Sequence, residues 1–165
     1  MSNRTIYAVA FAVIGMGTRF LVFMFELEYT WATQLYFLYL LLAVFLGVRE
    51  YFTTNPDSTF KKLFKAGAQI GSVYTLLVTL FTYVFYRFVD TQFFNFLIQQ
   101  KLSEAQSNGY TPEEVTKLSQ NLEFVFSANT QSTATLIGFM VLGFSYAAIV
   151  ALILSRVPFF SREFK

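Results

Sequence analysis

The stretch that decides the fold is residues 66–86, which read AGAQIGSVYTLLVTLFTYVFY. These 21 residues carry no charged side chain. A helix that crosses the hydrocarbon core of a bilayer needs about 20 mainly apolar residues, so the stretch predicts a transmembrane helix. Lys61, Lys62 and Lys65 lie in the first turns of this helix, and Ser58 or Thr59 can cap it.

Three more apolar runs flank this stretch, at residues 6–25, 31–48 and about 133–154. We therefore predict an all-α polytopic membrane protein with four transmembrane helices, forming one domain over residues 1–165. Pro56 disfavours helix at the residue before it, so the polar residues 51–58 are expected to form a loop. A cleaved signal peptide is the alternative for the first run, but its apolar character resumes after Arg19.

Composition agrees with a membrane protein, because only 13% of residues are charged, against about 25% in soluble domains. The absence of Cys and His excludes disulfides, thiol nucleophiles, imidazole acid–base pairs and the usual zinc and haem sites. The net charge of +2 is too small for a nucleic-acid-binding surface. We expect no cofactor, no metal and no nucleic-acid partner.

Residues 88–131 predict a helical hairpin outside the membrane, in which the third helix extends beyond the bilayer. Apolar residues keep roughly helical spacing over residues 88–105, and residues 107–109 (Ser-Asn-Gly) end the pattern. Thr111, Pro112 and Glu114 then predict a strong helix start with a capping box. The last span is expected to continue directly from this new helix.

One apolar stripe on the returning arm is expected to pack against the outgoing arm. Its members recur at spacings of three, four and three residues. The stripe consists of Val115, Leu118, Leu122 and Val125.

The orientation follows from the basic residues outside the spans, because cytoplasmic loops carry an excess of Lys and Arg. With the N-terminus inside, eight basic residues lie on the cytoplasmic side: Arg4, Arg49, Lys61, Lys62, Lys65, Arg156, Arg162 and Lys165. Three lie outside: Arg87, Lys101 and Lys117. We predict cytoplasmic termini and an outer hairpin.

Arg19 is the candidate interaction site, because it is the only ionisable residue inside an apolar run and such residues mark functional positions. Its side chain can instead reach the outer surface as an anchor. Glu26 and Asp90 are the candidate counter-charges. Gln69 is a further candidate, since its amide requires a polar partner within a span.

Small residues at helical spacing predict close helix packing in the third and fourth spans. They are Gly67 and Gly71 in the third, and Gly143, Ala147 and Ala151 in the fourth. We favour packing within the chain over a homodimer interface, which remains the alternative.

The order of features resembles a known family. Residues 58–60 (Ser-Thr-Phe) lead through the three lysines into Ala66 and Gly67, an outer arm bearing Gln and Lys follows, residues 109–115 restart the helix, and a Gly-containing span ends at Arg156. Nearly the whole chain is similar to small inner-membrane proteins typical of Bacteroidota, classified only as a domain of unknown function. The resemblance implies a bacterial inner-membrane location and four spans, and no activity.

We expect a non-enzymatic accessory or scaffold subunit of a larger membrane complex, with other integral membrane proteins and lipids as partners. A small transporter or channel with Arg19 on its path is the alternative. A second alternative is a membrane-embedded lipid-modifying enzyme or its helper, for example in lipid-linked sugar transfer. That would require an acidic cluster drawn from residues such as Glu26, Asp90 and Glu123.

Overall fold

The computed structural model describes residues 3–156, with side chains from Thr5 onward. Within this range the chain forms α-helices and no strand, which confirms the all-α class. The helices are α1 (Asn3–Met24), α2 (Tyr29–Thr54), α3 (Phe60–Val84), α4 (Phe93–Ser107), α5 (Pro112–Val125) and α6 (Ala128–Arg156), with a π-helical turn at Phe85–Val89. The predicted cytoplasmic residues Arg162 and Lys165 lie outside the described residues, as does the side chain of Arg4.

Four helical segments are long and apolar enough to cross a membrane, which confirms the prediction of four spans. They are Thr5–Met24, Tyr29–Thr54, Phe60–Val89 and Ala128–Arg156. The described residues thus have the architecture of a multi-pass α-helical membrane protein.

The described helices form two compact units. The first comprises residues up to 78 and from 136 onward, and so contains α1, α2, most of α3 and most of α6. Its core includes Leu40 and Val44 of α2, Ile70 of α3 and Ala147 of α6, all with fully buried side chains. Leu40 and Val44 lie four residues apart, as do Ile70 and Tyr74 in α3 and Ala147 and Ala151 in α6, so each of these helices turns one apolar stripe toward the core.

The Phe139 ring of α6 is the meeting point of aromatic side chains from three helices of this unit. It stacks on Phe37 of α2 at a centroid distance of 5.3 Å and on Tyr74 of α3 at 6.3 Å. The Tyr36 ring approaches it edge-on at 6.3 Å. Such ring pairs contribute about 1 kcal/mol each to stability, in addition to the contribution of the apolar area they bury. Phe139 therefore stabilises the packing of α6 on α2 and α3.

The second unit comprises residues 79–135 and contains the end of α3, the π turn, α4, α5 and the start of α6. Here the structure differs from the continuous third helix that the sequence predicts. The Asp90 N–H donates to the Phe85 carbonyl at 2.9 Å, a five-residue π-type bond, and the helix stops at Asp90. After the break, the Tyr86 ring stacks on Phe93 at a centroid distance of 5.2 Å and contacts Phe94 in a tilted arrangement at 4.7 Å. The structure thus has contacts among these aromatic rings at the point where the sequence predicts an uninterrupted helix.

Two other boundaries also differ from the predictions. The α2 helix runs to Thr54, beyond the predicted start of the loop at residue 51, because Phe52 is buried and the Thr53 and Thr54 hydroxyls bond to carbonyls of the last turn. The chain also breaks between α5 and α6, where the Ser127 hydroxyl accepts the Thr130 N–H at 3.2 Å and caps α6.

The tip of the hairpin has the predicted turn and restart. Gly109 has a left-handed φ of 83°, and the Tyr110 and Gly109 N–H groups donate to the Ala105 and Gln106 carbonyls, which closes α4 in a Schellman motif. The capping box of Thr111 and Glu114 is present, with proline in the first turn. The sequence prediction of this helix start is confirmed.

Candidate functional site

Arg19 is buried within the protein, with 6% of its surface exposed. The prediction left open that its side chain reaches the membrane surface as an anchor; in the structure other residues of the chain cover it. Arg19 takes part in an interaction within the chain. On the preceding residue, the Thr18 hydroxyl donates to the Ile14 carbonyl at 2.9 Å and lies 3.2 Å from the Tyr39 hydroxyl of α2. The contact between this turn of α1 and α2 therefore includes two hydroxyl groups, those of Thr18 and Tyr39.

The two candidate counter-charges lie in different settings. Glu26 is exposed in the turn between α1 and α2, where its φ of 51° is unusual for a residue other than glycine. Asp90 is half-buried at the end of the π turn in the second unit, and it too has an interaction within the chain. Glu26 therefore lacks the burial that its proposed partner Arg19 has.

The predicted small residues of α3 and α6 face each other inside the first unit. A Cβ built on Gly71 would lie 3.2 Å from the Gly143 Cα atom. A Cβ built on Gly67 would lie 2.8 Å from the Ala147 Cβ atom, and Ala151 one turn further is fully buried. These positions therefore serve helix packing within the chain.

A glycine that sequence reasoning missed has the same function between α1 and α2. A Cβ on Gly15 would lie 2.6 Å from the Tyr36 ring, so the ring occupies the space that a side chain would need. The Tyr39 ring also lies 3.4 Å from the same point. Both partners are large, so no pair of small residues marks the contact in the sequence. Its one signal is that Gly15 interrupts a run of larger apolar residues.

A groove of about 730 Å³ runs along the start of α3 and the end of α2. Its lining consists of Tyr51, Lys62, Lys65, Ala66, Ala68, Gln69 and Ser72. Gln69 is exposed here, so this predicted site residue belongs to a different place from Arg19. Sequence reasoning singled out the lysines for topology and Gln69 for its amide, but did not join them into one surface.

The hairpin stripe is only partly covered. The α4 and α5 helices contact each other, and Val115, Leu118 and Leu122 are half-buried. Val125 is 45% exposed, so it does not continue the covered stripe. The chain leaves α5 at Phe126, directly after this residue, and the turn that follows ends the helical register.

Comparisons with known proteins identify the family. The model of a family described as a protein of unknown function, DUF4199, matches residues 6–156. The chain therefore belongs to the DUF4199 family. No curated protein and no solved structure matches it.

Proposed function

We propose that the protein is a non-enzymatic accessory or scaffold subunit of a larger complex in the bacterial inner membrane. The observation that supports the proposal most is the exposure of large aromatic side chains on the hairpin beyond the spans. Phe96 of α4 is 67% exposed and Phe124 of α5 is 75% exposed. Exposed apolar side chains outside the lipid favour burial against another protein. We expect that protein to be an integral membrane protein.

Photo-crosslinking in intact cells tests this proposal. A photoreactive phenylalanine analogue replaces Phe96 or Phe124, and matched controls carry it in place of Asn95 or Glu123, which are exposed polar residues about 100° around the same two helices. We expect both aromatic positions to capture the same integral membrane protein, and the control positions to capture it at least several-fold less. Equal capture at all four positions, or adducts with lipid alone, would contradict a partner-binding hairpin.

Orientation forms part of the proposal. Arg49, Lys61, Lys62, Lys65 and Arg156 lie at one set of helix ends. Arg87 lies in the last turn of the third span, and Lys101 and Lys117 lie between the third and fourth spans. The positive-inside rule favours the first set in the cytoplasm. The N-terminus and C-terminus are then cytoplasmic and the hairpin is periplasmic.

A carrier is the second candidate, and the burial of Arg19 in an apolar helix favours it. The two candidates differ in what Arg19→Ala does to the partner captured by crosslinking. A scaffold loses recovery of that partner or loses stability, and Arg19→Lys restores part of the loss because the charge is kept. A carrier retains the partner and its stability in both variants.

A further inference from the structure

The groove between α2 and α3 combines features that the proposed function does not use. Its volume of about 730 Å³ lies in the usual range of ligand pockets, about 300–1,000 Å³. Lys62, Lys65, Gln69 and Ser72 recur at spacings of three, four and three residues along α3, so they share one helix face. Ala66 and Ala68 provide the space between them, because their side chains are single methyl groups.

The charge of the groove is positive and uncompensated by the parts of the chain that the structure describes. Lys62 and Lys65 are exposed and make no ion pair with any described residue. Two ammonium groups one turn apart suit a ligand with an anionic phosphate.

The polar lining continues into the membrane-spanning part of α3. Ser72 lies ten residues beyond Lys62, which is about 15 Å along the helix, whereas the headgroup layer of one leaflet is only about 5–8 Å thick. The Gln69 side chain is exposed and makes no hydrogen bond to a described residue. An amide that faces hydrocarbon without a hydrogen-bond partner is unfavourable, so a bound polar group at this depth would be stabilised by Gln69.

We propose that this groove binds one anionic phospholipid from the leaflet at the lysine-bearing end of α3. Its phosphate lies at Lys62 and Lys65. The Gln69 amide and the Ser72 hydroxyl donate hydrogen bonds to the glycerol ester carbonyls deeper in the leaflet. A phospholipid fits this order of groups because its phosphate lies at the surface, its esters lie below it and its acyl chains continue along the apolar helices. The site concerns a different surface from the hairpin, so it stands independently of the partner.

Native mass spectrometry of the full chain in mild detergent tests the proposal. The protein is exchanged into micelles that contain phosphatidylglycerol or phosphatidylcholine, and the bound lipid is counted. We expect one phosphatidylglycerol to be retained in preference to phosphatidylcholine. Lys62→Gln combined with Lys65→Gln should lower that retention about 25-fold, because each lysine near an anionic headgroup contributes about a fivefold preference.

A matched control makes the same change in net charge elsewhere. Lys61→Gln combined with Arg156→Gln removes two exposed cations that do not line the groove, so retention should stay within about twofold of wild type. Lys62→Arg combined with Lys65→Arg keeps the charge and should keep the lipid, which shows that the positive charge at these two positions is what the lipid requires. Gln69→Leu should weaken retention several-fold while leaving the fold intact, because Gln69 is exposed.

Three results would overturn the proposal. Equal retention of the two lipids would remove the anionic specificity. An equal loss in the control variant would indicate diffuse attraction rather than a site. Displacement of phosphatidylglycerol by millimolar inorganic phosphate or glycerol phosphate would assign the groove to a soluble phosphate instead of a lipid.

Discussion

The Tyr74 hydroxyl of α3 donates a hydrogen bond of 2.9 Å to the backbone carbonyl of Tyr36 in α2. Both side chains are buried among apolar residues of the first unit. Polar groups in a bilayer have no water to bond with, so the bond satisfies the hydroxyl and joins two spans. It also holds the Tyr74 ring in its stack on Phe139.

Tyr74→Phe removes this bond and keeps the ring. We expect the free energy of unfolding in detergent to fall by about 1 kcal/mol, the usual net value of one hydrogen bond. Tyr74→Ala also removes the ring and should cost about 3–5 kcal/mol. Denaturation with sodium dodecyl sulfate measures both changes.

Tyr83→Phe is the matched control, because Tyr83 lies on the same helix and is exposed. Its loss of a hydroxyl should leave the free energy of unfolding within about 0.5 kcal/mol of wild type. The assignment of a stabilising bond fails if the two Tyr→Phe variants lose the same amount.

Gly67→Ala should destabilise the packing of α3 on α6 and α2. The new methyl group would lie 2.8 Å from the Ala147 Cβ atom, 3.1 Å from the Ala147 Cα atom and 3.0 Å from Val48 Cγ2. Because a backbone atom is among these neighbours, the helices must separate. We expect a loss of about 1–3 kcal/mol in the free energy of unfolding.

Gly138→Ala provides the comparison on α6, because a methyl group there meets nothing within 4 Å. Alanine is the better helix former, so this variant should be unchanged or gain up to about 1 kcal/mol. A similar loss in both variants would mean that helix propensity, rather than close approach, determines the result.

The hairpin should show a pH dependence at the start of α5. The Glu114 carboxylate accepts hydrogen bonds from the Thr111 N–H at 2.8 Å and from the Thr111 hydroxyl at 2.9 Å, and these bonds lower the pKa of Glu114. A carboxyl with a lowered pKa in the folded state stabilises that state above its ordinary value of about 4.3, and the contribution is lost as the pH falls through the lowered pKa. Carbon-detected NMR titration of the Glu114 carboxyl measures this lowered pKa.

Thr111→Val keeps the backbone donor and removes the hydroxyl. The backbone bond is the larger cause of the shift, so the pKa of Glu114 should rise part of the way and remain below its ordinary value. A return to the ordinary value would show that the hydroxyl alone maintains the shift. No rise in the pKa of Glu114 would show that the Thr111 hydroxyl does not lower it.

Single cysteines test the orientation cleanly, because the native chain has no Cys. Asn55 and Asn108 are exposed and follow the ends of α2 and α4. In intact spheroplasts, an impermeant maleimide should label the Asn108→Cys variant and leave Asn55→Cys unlabelled until the membrane is opened. The reverse labelling pattern would invert the topology.

The four spans could be predicted from sequence because hydropathy and length act over many residues, and no single contact decides them. The helix start at Thr111 was predictable for a similar reason, since a capping box involves only residues three positions apart. The interruption at Phe85–Val89 was not. It accompanies contacts of the Tyr86 ring with the Phe93 and Phe94 rings, which come later in the chain, and no local propensity encodes those contacts.

The candidate sites were hard to predict for the same reason, because they depend on contacts between helices. The burial of Arg19 and the groove at Lys62 and Gln69 both arise from neighbouring helices, which a single helical pattern cannot locate. The pairing of Gly71 with Gly143 was suggested only as two separate stripes, because nothing in either stripe names its partner.

The close approach of Gly71 to Gly143 can form only late in the synthesis of the chain. The two residues are joined by a long connection that includes the whole hairpin, and α6 is the last described helix to leave the ribosome. Chains fold from the N-terminus as they are made, so α1, α2 and α3 enter the membrane with the Gly71 face and the Tyr74 ring still uncovered. The hairpin must be complete before Phe139 arrives to close that face. Until then, the face of α3 on which α6 later packs is exposed to the membrane.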